Sequence, residues 1–318
     1  LVGSEMCIRD SASTGEFEEM TWKFACSATE TSPWVDGAKE FARIVGEKTG
    51  GAITVQYYPA DQLTAGNQTD GIQALMDGTT ELSMHSNLIW SSFDQRFNVV
   101  SLPFLFSSTE EADAALDGAG GEALGEILES TYNVHLLGIA ENGFRHITNS
   151  KHAIASKADM NGLKMRVAGS QLLNRSYELW GADYTNANWS EVFTALQTGT
   201  YDGQENPLGI ITGNKFEEVQ SYCTLTEHVY TPYYVVMNQA KWDSLTAEQQ
   251  EALTKAIEET TQRQYELSQQ YEDEAIEVME SAGCAVRTLT DEEKLGFKEA
   301  ADKANSLEAA KKICLLYT

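Results

Sequence analysis

The stretch that decides the fold is WKFACSATETSPWVDGAKEFARIVGEKTGGAITVQYY, residues 22–58. It begins with a short predicted strand at 22–25. Ser32 and Pro33 then have the character of a helix N-cap and a first helical residue. The helix behind them has an apolar face, and a second strand follows at 53–58. This strand–helix–strand order predicts an α/β fold with a mostly parallel sheet covered by helices.

The same alternation continues towards the C-terminus. We predict a helix around 72–76, a strand at 81–85, a helix from a capping box at 108–111 to about 128, strands at 134–140 and 163–167, helices around 172–179 and at 190–198, and strands at 232–237 and 285–289.

One helical segment is unusually long. Thr246 and Gln249 form a capping-box pattern, and neither Gly nor Pro occurs again until Gly283. Straight, this segment would reach about 50 Å at ~1.5 Å per residue. An average globular helix has about 11 residues, so the segment either bends into two helices or lies across two domains. Thr290 is predicted to cap a last helix.

The two ends of the chain do not look like parts of the fold. Back-translated, residues 5–10 and 314–318 are reverse complements over most of their length and resemble sequencing-adapter ends. We therefore set aside 1–10 and 313–318 as scars, and we expect a gene truncated at both ends, so that a missing signal peptide is uninformative. Residues 11–20 are small, polar and acidic, as in a disordered leader.

Charge and composition exclude several classes of partner. The net charge is −26, with 48 acidic and 22 basic residues among 318. Such a surface repels nucleic acid and anionic membranes, and no apolar run is long enough to span a bilayer. We expect a soluble protein without a nucleic-acid partner. If its ligand is an anion, locally placed cations must bind it.

No catalytic or metal-binding motif is evident. The serine-hydrolase, P-loop, zinc-protease and dinucleotide fingerprints are missing. The five histidines show no helical i, i+4 pairing, and Cys26, Cys223 and Cys284 fit no metal spacing. We predict no metal and no cofactor, and we expect a protein that is not an enzyme.

Two arginines lie where a ligand would bind. Arg145 follows the strand at 134–140, and Arg166 is near the end of the strand at 163–167. Ligands of α/β sheets bind beyond the carboxyl ends of strands, and a guanidinium binds a carboxylate with two parallel hydrogen bonds. An interdomain salt bridge or a surface charge is the alternative for both.

Two further segments accompany these arginines. The segment DGQENP at 202–207 is polar and is predicted to be a loop, in which Pro207 favours an extended Asn206 with a free amide. Trp189, just before the helix at 190–198, belongs either to the core or to a flat wall under a ligand.

Together, Arg145, Arg166, the segment WSEVFTALQTG at 189–199 and the segment at 202–207 resemble the solute-binding proteins of tripartite ATP-independent periplasmic (TRAP) transporters of the dicarboxylate type. The resemblance also includes LPFLF at 102–106, GLKMRV at 162–167 and KFEEVQ at 215–220, and it runs from about residue 22 to about 305.

The resemblance implies a two-domain, periplasmic-binding-protein-like fold with hinge strands and a long domain-spanning helix. On this basis residues 22–143 with 232–270 form the first domain and residues 144–231 with 271–312 the second, preceded by the scar and leader at 1–21.

The resemblance also implies the roles of individual residues. Arg166 pairs with the ligand carboxylate, Arg145 supports it from the side, and Asn206 hydrogen-bonds the same group. Position 189 is usually Phe, so Trp189 changes the pocket. Asn67, Gln68 and Asn87, from loops of the first domain, are candidates for the far end of the ligand. We found the expected loop motif His-Pro replaced by Ser-Pro at 32–33.

The function that follows is capture of an organic acid anion, either a C4-dicarboxylate or a sugar acid, and its delivery to TRAP membrane subunits. We expect a monomer that is periplasmic or otherwise extracytoplasmic, with lipid anchoring to the outer face of the membrane as an option. The alternatives are a ligand-sensing module of a membrane receptor and an enzyme that acts on an organic acid.

Overall fold

The computed structural model describes residues 18–30 and 32–305. The strands are β1 Met20–Cys26, β2 Ile53–Tyr58, β3 Leu82–Ser86, β4 Val134–Phe144, β5 His146–Asn149, β6 Lys164–Val167, β7 Asp183–Asn186, β8 Gly203–Asn206, β9 Tyr222–Leu225, β10 Tyr230–Asn238 and β11 Ala285–Thr288. The helices are α1 Pro33–Lys48, α2 Gln68–Met76, α3 Asn87–Trp90, α4 Thr109–Leu116, α5 Ala119–Tyr132, α6 Gln171–Trp180, α7 Val192–Gln197, α8 Leu208–Gly213, α9 Gln239–Asp243, α10 Ala247–Ser281 and α11 Asp291–Asn305.

The strands form two separate sheets. The first has the order β2-β1-β3-β10-β4 and the second the order β11-β9-β5-β8-β6-β7. The predicted α/β class is confirmed, but both sheets are mixed rather than mostly parallel. In the first sheet β10 is antiparallel to both β3 and β4, because the chain returns to this sheet from the opposite direction after forming β5 to β9 of the second.

The deciding stretch folds as the sequence predicts. The Ser32 hydroxyl accepts a hydrogen bond from the backbone N–H of Trp34 and caps α1. Beyond α1 the backbone takes positive φ at Gly50 and Gly51, which glycine adopts without strain. β1 then pairs in parallel with β2 and β3. β1 already begins at Met20, so the predicted leader ends earlier than residue 21.

The long helix is a single element of 35 residues. Thr246 and Gln249 form a reciprocal capping box at its start. Its first half packs on α1 and β4, where Ile257 joins the core of the first sheet, and its second half reaches α8 and β11, where Met279 joins the core of the second. The helix therefore spans both halves of the molecule, one built on each sheet, as predicted.

Two predicted elements differ from the structure. The helix expected from 108 to 128 is two helices, since α4 ends at Leu116 and α5 begins at Ala119. The helix is interrupted at Gly118, because glycine has no side chain that restricts its backbone to the helical conformation. The polar segment at 202–207, predicted as a loop, contains β8, a fully buried central strand. Its polar side chains are tolerated there because they are hydrogen-bonded.

The adapter-like ends, with Cys7 and Cys314, and most of the predicted leader lie outside the described residues. Within 18–30 and 32–305, no helix has the length and apolarity needed to cross a membrane. In the same ranges no group of three or more His, Cys, Asp or Glu side chains is arranged to hold a metal ion.

Candidate functional site

A cavity of about 30 Å³ lies between the two sheets. Residues that end strands or directly follow them meet there from both sides: Ser27 after β1, Ser86 at the end of β3, Ala168 after β6 and Asn206 at the end of β8. The carboxyl ends of parallel strands in both sheets thus converge on one space, as the position rule for α/β sheets requires.

Arg166 is a buried cation in this cavity without a counter-ion. Its side chain is 3% exposed, and no carboxylate among the described residues lies within ion-pairing distance of it. Nε and Nη2 donate to the carbonyl oxygen of Ala187, at 3.3 and 2.9 Å. Nη1 and the second N–H of Nη2 remain for a ligand.

Burial, joined by repulsion from the nearby Arg145 and opposed by Glu205, lowers the pKa of Arg166 to about 10. The guanidinium also lies 5.4 Å from the centre of the Trp189 ring, close enough for a cation–π contact. A buried charge of this kind is costly unless a partner compensates it. The position therefore favours an anionic ligand.

Arg145 has its own counter-ion. It lies between β4 and β5, where the chain passes from one sheet to the other, and its Nε and Nη2 donate to the two carboxylate oxygens of Glu205. Nη2 also donates to the side-chain oxygen of Asn206 at 2.9 Å. Arg145 is thus part of a salt bridge, although both partners belong to the second proposed domain and the pair is not interdomain, and Arg145 can act on a ligand only as a neutralised, positioning group.

Asn206 and Trp189 both line the cavity, as predicted. Asn206 accepts from Arg145 and donates from Nδ2 to the side-chain oxygen of Gln204 at 2.6 Å, so its amide is held in a fixed orientation. Trp189 packs on Phe216, with ring centres 5.4 Å apart, and turns its ring towards Arg166. It serves as core and as cavity wall at once.

The three candidates from the first half separate into two groups. Gln68 lines the cavity. Asn67 instead caps α2, because its side-chain oxygen accepts from the N–H groups of Thr69 and Asp70. Asn87 is fully buried and donates to the carbonyl oxygen of Phe97 and to the Ser101 hydroxyl. Neither asparagine lines the cavity, because local hydrogen bonds occupy both side chains.

Several lining residues were not predicted. They are Ser27, Ala28, Thr29, Ser32, Ser86, Ile89, Ala168, Ile210, Asn214 and Tyr233. Ser27 and Ser86 carried a usable signal, since each stands where a predicted strand ends. The Ser27 hydroxyl is buried in the cavity wall beside the Tyr233 hydroxyl, without a hydrogen bond of good geometry among the described residues. Tyr233 lies mid-strand and gave no signal.

The two halves touch on either side of the cavity. The Thr29 hydroxyl donates to the side-chain oxygen of Asn214 at 2.7 Å, and the Ser170 hydroxyl donates to that of Asn98 at 2.8 Å. These two hydrogen bonds join the halves next to the cavity.

A serine–histidine–aspartate chain exists elsewhere and is not a catalytic triad. His85 contacts the Ser83 hydroxyl through Nδ1 and the Asp61 carboxylate through Nε2, each at 2.7 Å. All three side chains are buried, with Ser83 fully so, and none lines the cavity. A substrate cannot reach this hydroxyl. The contact instead fixes Asp61, which has a positive φ, next to α2, the helix that begins at Gln68.

The model of the family described as "Bacterial extracellular solute-binding protein, family 7" matches residues 24–311. The chain belongs to this family. It is therefore an extracellular solute-binding protein, and the resemblance noted in the sequence is confirmed.

Curated family 7 relatives support this assignment. The chain is 32% identical to the 2,3-diketo-L-gulonate-binding periplasmic protein YiaO of Escherichia coli over 91% of this chain and 86% of that protein. It is 31% identical to the C4-dicarboxylate-binding periplasmic protein DctP of Rhodobacter capsulatus, over 89% and 84%.

Solved structures of TRAP solute-binding proteins have the same fold. The protein from Ralstonia eutropha with bound (S)-2-acetolactate superposes with a TM-score of 0.88 at 31% identity, over 92% of this chain and 94% of that one. The sugar acid binding protein DctPAm of Advenella mimigardefordensis, in complex with galactonate, gives 0.89 at 31% identity, over 94% and 96%. These similarities confirm the predicted two-domain, binding-protein-like fold class.

Proposed function

We propose that this protein captures a small organic acid by its carboxylate on Arg166 and delivers it, chemically unchanged, to the membrane subunits of a TRAP-type transporter. One observation carries the proposal: Arg166 is buried in the cavity between the sheets, while Glu205, the carboxylate that could have neutralised it, already pairs with Arg145. A carboxylate ligand supplies the missing negative charge.

The ligands named for the relatives agree with this chemistry. Acetolactate, galactonate, diketogulonate and C4-dicarboxylates all contain a carboxylate and differ in the rest of the molecule. We infer that the carboxylate is the common element that the guanidinium binds, with Asn206 and the Ser27 hydroxyl beside it. The remaining lining residues would select among acids.

We also propose the domain ranges given above, 22–143 with 232–270 and 144–231 with 271–312. All strands of the second sheet fall in the second set, and those of the first sheet fall in the first set except for terminal residues of β1, β4 and β10. The protein would act as a monomer outside the cytoplasmic membrane, free or lipid-anchored.

Binding without turnover fits the cavity, because the described residues that line it include no pair of a nucleophile and a base. The test is a thermal-shift screen with galactonate, acetolactate and succinate. A ligand at 100 times its Kd stabilises the protein by about 2.7 kcal/mol. Hits are then titrated by calorimetry against wild type and Arg166→Met, and the incubated acid is checked by mass spectrometry. No stabilisation by any organic acid, or conversion of a bound acid, contradicts the proposal.

A further inference from the structure

A second, larger cleft lies on the outer side of the first sheet. It has a volume of about 430 Å³ and runs between α4, β4 and α10. Four of its lining residues are acidic, namely Asp113, Asp117, Glu141 and Glu258, and none of its lining residues is basic. This cleft shares no lining residue with the cavity that holds Arg166.

Glu141 is the unusual member of this group. Its side chain lines the cleft, yet the residue is only 4% exposed. Oε1 accepts a hydrogen bond from Nε2 of Gln269 at 3.3 Å, while Oε2 is buried and finds no donor among the residues that the structure describes. A buried oxygen without a donor is costly, so the site favours a donor that comes from outside the chain.

The charges around Glu141 are negative. Burial, together with the negative charges of Glu272 on α10 and of Asp113 and Glu110 on α4, raises the pKa of Glu141 to about 8. Only the amide of Gln269 opposes them. A cation placed beside Glu141 would relieve both the burial and the repulsion.

Two of the carboxylates, Glu141 and Glu258, stand at different ends of the cleft. Asp113 belongs to the Glu141 end, because it accepts from the hydroxyl of Tyr230, which pairs with Phe144 at the end of β4. Glu258 belongs to the other end, since its neighbour Ile257 lies against Gly138. From 137 to 141 a strand extends about 13 Å, and from 257 to 265 a helix rises about 12 Å.

Between these ends the floor is apolar and partly aromatic. Leu137, Ile139 and Ile257 line the middle of the cleft, and Tyr265 adds an aromatic ring near Glu141. Carboxylates at both ends with an apolar stretch between them fit a molecule that has amino groups at both ends of a methylene chain. An aromatic face adds a cation–π contact to such a group. A bare metal ion is a poor match, because no cluster of three ligating side chains exists in 18–30 and 32–305.

We propose that this cleft binds a linear polyamine, with one ammonium group on Glu141 and Asp113 and another on Glu258. β4 and α10, which form its walls, are also elements that run from one sheet towards the other. The bound cation would therefore lie beside the segment that leads to Arg145, but it occupies a site separate from the organic acid.

The test is calorimetric titration of the full chain with spermidine, and with putrescine and magnesium chloride as comparison cations, at moderate salt. Glu141→Gln removes the buried carboxyl, which a bound ammonium group would hold in its ionised form, Glu258→Gln removes an exposed charge at the far end, and Glu292→Gln is the matched control. Glu292 is exposed on α11 in the other half, so its loss changes net charge equally without touching the cleft.

We expect saturable binding of spermidine that Glu141→Gln weakens at least about tenfold and Glu258→Gln about threefold, while Glu292→Gln has no effect. Putrescine, with only two closely spaced amines, should bind more weakly. Circular dichroism checks that Glu141→Gln folds, and Glu258→Gln tests the cleft even if it does not. The absence of saturable binding, equal losses in all three variants, or equal affinity for magnesium would each overturn the proposal.

Discussion

Replacing Arg166 with methionine should separate ligand binding from stability, because the two effects have opposite signs. Burial lowers the pKa of Arg166 from 12.5 to about 10, and each unit corresponds to about 1.4 kcal/mol. The charged form is therefore disfavoured by about 3 kcal/mol in the ligand-free protein. Methionine removes this penalty and gives up the hydrogen bonds to Ala187 and the contact with Trp189, together worth about 2 kcal/mol.

We therefore expect the free energy of unfolding of the ligand-free variant to be unchanged or about 1 kcal/mol higher than that of wild type. Ligand affinity should fall steeply, since removing one member of a buried charge pair costs about 2–5 kcal/mol. That loss corresponds to a Kd at least about 30-fold weaker. Urea unfolding without ligand and calorimetry with the acid found by screening measure the two quantities.

Arg145→Met is the matched comparison. This arginine neutralises Glu205, which is fully buried, and an uncompensated buried charge costs about 3–5 kcal/mol. The Arg145 variant should lose that much stability, whereas the Arg166 variant should not. If both variants are destabilised alike, Arg166 is a structural residue. If Arg166→Met binds the acid as wild type does, the carboxylate lies elsewhere.

Three further predictions concern pH and packing. Affinity for the acid should fall as the pH rises through about 10, because Arg166 binds the carboxylate only while protonated. An affinity that calorimetry finds unchanged up to pH 11 would contradict this. Gly203→Ala should reduce the free energy of unfolding by about 1–3 kcal/mol, since the added Cβ would overlap a carbonyl oxygen of β5. Gly46→Ala on α1, where the added Cβ would meet only the Ile53 carbonyl oxygen at an ordinary contact distance of 3.9 Å, should raise it by up to about 1 kcal/mol; equal effects in urea titrations would refute the packing argument. Burial lowers the pKa of His146 to about 4. The stability that the neutral imidazole contributes is therefore complete above about pH 6.5 and is lost as the pH falls towards 4. His146→Gln should reduce the dependence of the free energy of unfolding on pH in this range, and an unchanged dependence would show that other groups cause it.

Local sequence signals determined much of the fold. The alternation of strands and helices in 22–86, the N-cap at Ser32 and the capping box that opens α10 were all predicted and are present. Caps and apolar periodicity act over a few residues, so they can be recognised without knowledge of the partner elements. Arg166 could also be recognised from the sequence as a candidate ligand-binding residue, because a charged residue near the end of a predicted strand is unusual.

Tertiary structure alone decided which polar groups are free. The segment at 202–207 has the composition of a loop, yet pairing with β5 and β6 makes β8 a central strand. Asn67 and Asn87 looked equivalent to Gln68, but hydrogen bonds to their own neighbourhood withdraw both from the cavity. The sequence could not show which of Arg145 and Arg166 is free to bind a ligand, because Glu205 is 60 positions from the first and 39 from the second. Only the folded chain shows which guanidinium Glu205 neutralises. Composition and periodicity are local properties, whereas a charge becomes available to a ligand only when no distant side chain has already compensated it.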